Sequence, residues 1–240
     1  MEELKVSEKH KNILQNFTQS LKDVYREDLI SLVLYGSAAS GEFVDEHSNL
    51  NLLIVLKNTN LEDLKKSSSL VRKSGMISPL FLTEGYISSS VDVFPIEFLD
   101  MQENYSVIYG KDILKGLHID IRNLRFQCEQ ELKAKLLKLK HAYLMVNNDP
   151  VALRKLLLVS FTPILHIARN VLRLKGGKPA YLKQEVLRQL SAEFNIDLTV
   201  WEKILAVKNK RIKLNGKDVE PLFVNFVKEL ELMVDVIDKL

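Results

Sequence analysis

Gly36, Ser37, Asn49 and Asn51 have the types and the spacing to handle a phosphorylated ligand. A glycine at the end of a strand lets the backbone approach a phosphate. The next serine hydroxyl and nearby backbone N–H groups can then hold its oxygens. Eleven residues separate Ser37 from Asn49. Asn49 and Asn51 stand two apart in an apolar run, so on a strand both side chains leave from one face. Carboxylates at that spacing would hold a pair of hard cations; amides supply oxygen dipoles without charge. Mg2+ sheds water reluctantly and gains little from neutral ligands. Asn51 also cannot serve as a general base. Asparagine is unfavourable in strands, so two on one face need a reason. A site that has lost its charges is one reason, and ordinary polar strand residues are the plain alternative.

The elements that must position these residues are legible on either side of them. Ile13, Leu14, Phe17, Leu21 and Val24 recur at helical spacing behind Ser7, a fitting N-cap, and predict a helix over 7–25. Leu29–Tyr35 reads as a buried strand running into Gly36-Ser37, and Asn49–Leu56 as a second strand. A helix is expected over 61–74, closed near Gly75, and another over 83–90. Strands are expected over 93–101 and 107–109.

After residue 120 the pattern turns helical. Ile121, Leu124, Cys128, Leu132, Leu136, Leu139, Tyr143 and Val146 form one apolar stripe. Asp149-Pro150 opens the next helix, expected to run to about 175 with Pro163 kinking or breaking it. Further helices fit 182–190, 198–207 and a final stripe from Phe223 to Leu240.

Tyr35-Gly36-Ser37 and Ser48-Asn49-Leu50-Asn51-Leu52-Leu53, at this separation, resemble the nucleotidyltransferase superfamily that includes DNA polymerase beta and the aminoglycoside nucleotidyltransferases. The pattern there is Gly with Gly or Ser, a gap of this size, then Asp-apolar-Asp or Glu-apolar. VDVFPIEFLDM at 91–101 and IYGKDIL at 108–114 resemble later strands of bacterial members. The likeness covers roughly 25–115 in detail and the rest only in architecture. It implies an α+β protein: a nucleotidyltransferase-like mixed sheet with flanking helices over 1–118, followed by an all-α helical bundle over 119–240.

The resemblance also implies a site. Nucleotide would sit at Gly36 and Ser37, with two Mg2+ ions at the positions now held by Asn49 and Asn51. A third carboxylate would come from a neighbouring strand, with Glu97 the first choice and Asp92 the second. Arg169 and Arg173, with His166 and Asn170, would form a helical face that closes over the site and meets phosphate or acceptor. A solvated or inter-helix polar strip is the competing reading of that face. The expected protein is a degenerate relative that binds a nucleotide or partner in the cleft between its two parts, taking Mg2+ only together with nucleotide. The alternatives are an active Mg2+-dependent transferase, moving a nucleoside monophosphate to a small-molecule or protein hydroxyl, and a basic helical module that binds nucleic acid.

Composition sets the outer bounds. Of 240 residues 46% are hydrophobic, enough for an ample core, and the formal net charge is +3. Residues 1–120 carry a balance of -6 and residues 121–240 one of +9, so the second half is the friendlier to anions. The run KNKRIKLNGK over 208–217 carries five cations but no aromatic residue for base stacking; a nucleic-acid contact and a solvated loop both fit it. MEELKVSEKHK has no apolar signal segment, and the apolar stretch 156–168 is short and interrupted. Neither export nor a membrane span is expected. The single cysteine, Cys128, suits a reducing cytoplasm and reads as a core thiol. The five histidines and Cys128 show no zinc-ligand spacing.

Overall fold

The structure is a computed structural model, and it describes residues 6–40, 49–146, 149–194 and 197–240. Residues 41–48 of the segment between the two site strands, Ser48 included, lie outside the described residues. Contacts divide the chain into two compact units, Met1–Ile119 and Asp120–Leu240.

The first unit is built on strand β1 (Leu29–Tyr35). It pairs antiparallel with β2 (Leu50–Leu56) on one side and with β4 (Tyr105–Gly110) on the other. A third strand, β3 (Ile77–Leu82), runs parallel to β2 at the edge, which gives the mixed order β3-β2-β1-β4. Alternation divides the strand residues between two faces. Leu32, Leu34, Leu52 and Ile54 pack with Leu14, Phe17 and Leu21 of helix α1 (Glu8–Tyr25). Val33, Leu53 and Val55 pack on the other side with Ile87 of α5 (Glu84–Ser90) and Phe98 and Met101 of α6 (Pro95–Glu103). The sheet is therefore buried on both faces. That is why β1 and β2 read as near-continuous apolar runs.

Three expectations need correction. The segment 93–101 is not a strand: α6 occupies Pro95–Glu103. Pro95, Phe98 and Met101 step by three and are all buried, and proline suits the first turn of a helix. Over so short a run this spacing competes with the alternating one. Strand β3 went unread because Pro79 and Ser78 look like breakers; as an edge strand, β3 tolerates a proline. The helix expected over 61–74 is two, α3 (Leu61–Lys66) and α4 (Ser68–Ser74). They part at buried Ser67, whose hydroxyl meets the Tyr25 hydroxyl at 2.9 Å.

The second unit is all helical. Helices α7 (Ile121–Met145), α8 (Pro150–Arg173) and α11 (Gly216–Asp238) form its centre, with α9 (Lys183–Phe194) and α10 (Thr199–Lys208) against them. Asp120 and Asp149 cap the first two, accepting from the N–H groups of Arg122 and Val151. Helix α8 continues through Pro163. By length and composition it could cross a membrane, yet Leu157, Phe161, Ile164 and Ala168 are buried as in a bundle core. Phe161, Trp201 and Phe226 gather there with ring centroids 5.0 to 6.1 Å apart, and Cys128 is buried as expected of a core thiol.

Gly110 closes β4 against β1. Its φ of +76° lies in the left-handed region, and a Cβ there would overlap the Ile30 carbonyl oxygen. Backbone cannot swing aside as a side chain can. Gly110→Ala should therefore cost about 2 kcal/mol or more, measured by urea unfolding. An unchanged midpoint would mean that β1 and β4 do not meet in this way.

Candidate functional site

The polar end of the sheet is assembled by strand register. Tyr35, the last residue of β1, pairs with Asn51 of β2 on one side and with Tyr105 of β4 on the other. Directly paired residues project on the same face, so an amide and two phenols form a row across three strands. All three are half-buried. Burial pushes the Tyr35 phenol above its ordinary value, so it stays neutral as a hydrogen-bonding group. The Tyr105 hydroxyl donates to Asp112 Oδ2 at 3.1 Å.

Gly36 turns the chain away from this row. Its φ is +76°, and an added Cβ would stand 3.3 Å from Asn51 Nδ2, so the Asn51 amide reaches the turn itself. The Gly36 N–H donates to the Asn104 carbonyl at 3.0 Å, while the Gly36 carbonyl accepts from Ala39 and Ser40. A single turn of helix, α2 (Ser37–Ser40), follows. Among the described residues the Ser37 hydroxyl has no hydrogen-bond partner. Asn49 lies just ahead of β2 and is exposed; Leu50 behind it is fully buried, its N–H on the Met76 carbonyl at 2.9 Å.

The structure brings Gly36, Ser37 and Asn51 together but gives the proposed third carboxylates no strand to stand on. Asp92 is exposed in the turn before α6, and Glu97 is exposed in the first turn of α6. The end of α6 that meets Gly36 is the other one, at Asn104. At 1.5 Å per residue, Glu97 lies roughly 10 Å back along the helix from Asn104. None of the four strands carries an acidic residue. Among the described residues no three His, Cys, Asp or Glu gather to hold a metal. Among the described residues, the side chains paired at the sheet's end are amide and phenol, with the Asp112 carboxylate on the Tyr105 hydroxyl, and these do not fit a pair of Mg2+ ions.

Sequence reading placed Tyr35 in the motif but did not bring Asn104 or Tyr105 beside the Gly36 turn. Reading 93–101 as a strand hid the helix that delivers Asn104, and phenols on strands look like ordinary packing residues. The signal available was the pairing of Tyr35 with whatever residue follows the first polar loop after α6.

The remaining candidates belong to the helical unit. Arg169 is 9% exposed; its Nε donates to the Ala180 carbonyl at 2.9 Å, and its guanidinium lies 5.4 Å from the centre of the Tyr181 ring. Asn170 is fully buried and donates to the His166 carbonyl, while the Arg173 guanidinium donates to Asn170 Oδ1. Arg169 thus clamps the segment 179–181, and Arg173 leans on α8 itself. His166 is exposed.

No family model matches the chain. Over 109 residues the chain is 32% identical to a curated protein of Methanocaldococcus jannaschii whose name makes it a candidate protein adenylyltransferase. That match takes in 42% of this chain and 72% of the relative. Among solved structures, the fold is similar to that of the spectinomycin adenyltransferase AAD(9) from Enterococcus faecialis, crystallised with ATP and spectinomycin. The TM-score is 0.57 at 13% identity, over 90% of this chain and 99% of that one. At that identity the likeness is one of fold.

The contact at Gly36 is with a side chain rather than with backbone. Gly36→Ala should therefore cost about 1–2 kcal/mol for the left-handed conformation alone, less than Gly110→Ala. A larger loss at Gly36 in the same urea titration would mean that Asn51 cannot give way and is locked against the turn.

Proposed function

We propose, for a chain that belongs to the nucleotidyltransferase superfamily, that the Gly36–Ser37 end of the sheet binds a nucleotide and that the two-metal transfer reaction has been lost. The observation that carries this reading is the neutral row Asn51–Tyr35–Tyr105, on a sheet with no acid on any strand. Two-metal chemistry needs carboxylates to offset the charge of the cations and hold them against the phosphates. Amides and phenols can still orient a phosphate or a base through hydrogen bonds.

In this reading Gly36 gives the backbone its close approach, and the Ser37 hydroxyl donates to a phosphate oxygen. Asn51 holds the turn and presents its amide to the ligand. Mg2+ enters only as a complex with the nucleotide. ATP is the ligand to try first, since the structural neighbour was crystallised with it. In the helical unit, Arg169 and Arg173 stand as the guanidiniums proposed for phosphate; Arg169 also donates to backbone carbonyls and Arg173 to Asn170 Oδ1. Asp92 and Glu97 stand as weaker candidates for any residual metal contact. A cytoplasmic location accompanies the proposal.

A second reading, active transfer of AMP to a hydroxyl, draws on the relatives: one is named as a candidate protein adenylyltransferase and the other as an antibiotic adenyltransferase. The two readings separate in one experiment. Under ours, ATP raises the melting temperature equally with and without Mg2+, and no pyrophosphate is released. Sustained Mg2+-dependent pyrophosphate release by the wild type would establish the second.

Restoring the charges is the complementary test. Asn49→Asp with Asn51→Asp should lower the melting temperature of the free protein at neutral pH, because adjacent carboxylates repel and raise each other's pKa. Added Mg2+ should recover part of that loss, while the wild type ignores the ion. A double variant that melts like the wild type and does not respond to Mg2+ would remove these positions from the site.

A further inference from the structure

Several cations of the helical unit are held by carboxylates. On α7, Arg125 and Lys133 pair with Glu129, Lys133 also reaches Asp238, and Lys140 pairs with Glu231. The segment 208–217 is different. Among the described residues, Lys208, Lys210, Arg211, Lys213 and Lys217 have no carboxylate partner. Like charges gathered without counter-charges cost self-repulsion. Burial, with a smaller part from the nearby Lys183 charge, holds the Lys208 ammonium below the usual lysine range.

The segment nevertheless follows a fixed path. Helix α10 closes with the Lys210 N–H on the Val207 carbonyl and the Arg211 N–H on the Ala206 carbonyl. Lys208 Nζ donates to the Leu158 carbonyl at 3.0 Å. Leu214, 7% exposed, pins the far end while Lys210, Arg211, Lys213 and Lys217 stay in solvent. A tethered row of solvated cations loses little further freedom when a polyanion binds.

Beside this row, α9 and α10 enclose a polar pocket of about 220 Å³ whose lining includes Gln184, Arg188, Glu202, Asn209 and Arg211. Arg188 is 70% exposed and shares its charge with Glu185 at 2.5 Å. Glu202 in the lining and Glu185 on Arg188 offset the two guanidiniums, so the excess positive charge lies in the adjoining row rather than in the pocket itself. The amides of Gln184 and Asn209 add donors. The volume suits a single phosphate group, and guanidinium forks match its oxygens.

We propose that this face binds the phosphate backbone of nucleic acid, with one phosphate seated between Arg188 and Arg211 and its neighbours lying along 208–217. The surface contains no aromatic residue on which a base could stack. Recognition is therefore of charge and spacing rather than of sequence. A duplex, with its denser phosphates, should bind at least as tightly as a single strand. The proposal is independent of the Gly36–Ser37 site.

The test is fluorescence anisotropy of the full chain with a mixed-sequence duplex of about 20 base pairs, titrated at several salt concentrations. Arg188 and the four solvated cations of the segment give a slope of log K against log salt of about -4.5. Arg188→Glu with Arg211→Glu, both on exposed side chains, should weaken binding at least about tenfold at low salt. Lys138→Glu, on the exposed face of α7, should change it by no more than about threefold. Tighter binding of inorganic pyrophosphate than of duplex would assign the pocket to a free anion and overturn the proposal. Affinity indifferent to salt, or to the double reversal, would overturn it as well.

Discussion

Strand β1 is the constraint on which the first unit depends. It hydrogen-bonds along both edges and is buried on both faces, so its register cannot slip by one residue without moving an apolar set out of each core. Leu32 and Leu34 face α1, and Val33 faces α5 and α6. With those three fixed, Tyr35 must stand between Asn51 and Tyr105. The polar row is thus set by hydrophobic burial several residues away, where no ligand enters.

Gly36 turns that register into a site. Its left-handed conformation sends the chain off the sheet directly after Tyr35, and its N–H is tied to Asn104 at the end of α6. The turn is therefore held from two sides, by the strand before it and by a helix far along the chain. Support of this kind keeps the Ser37 hydroxyl in one place. The charge of the row is a separate matter from its shape. The paired residues of the row are neutral, and register does not depend on their charge, because it is set by the apolar positions between them.

The helical unit has its own logic. Its centre is apolar and aromatic, with Phe161, Trp201 and Phe226 in mutual contact. Arg169, expected to face a ligand, is turned to backbone carbonyls of the 179–181 segment. A guanidinium with buried carbonyl partners organises its own loop, so conspicuous cations on a helix need not be the ones that meet an anion. The exposed cations over 208–217 meet that description better, because among the described residues none of them has a carboxylate partner.

Much of this was legible in the amino-acid sequence. Periodicity placed β1, β2 and the helices of the bundle within a few residues, since each must bury a stripe or a face whatever lies against it. The Gly36-Ser37 pair and the amides at Asn49 and Asn51 are facts of residue identity. What lay beyond the sequence was pairing. Residues 95–101 carry both a strand-like and a helix-like alternation, and packing against Val33 and Leu53 settled the matter for the helix. Pro79 looks like a breaker until β3 is known to be an edge. Glu97 looks like a ligand until α6 carries it away from the turn, and Tyr105 becomes a site residue only through register. Local pattern records what a residue must bury; which residues then stand side by side is decided by contacts between distant segments, and only the tertiary structure contains those.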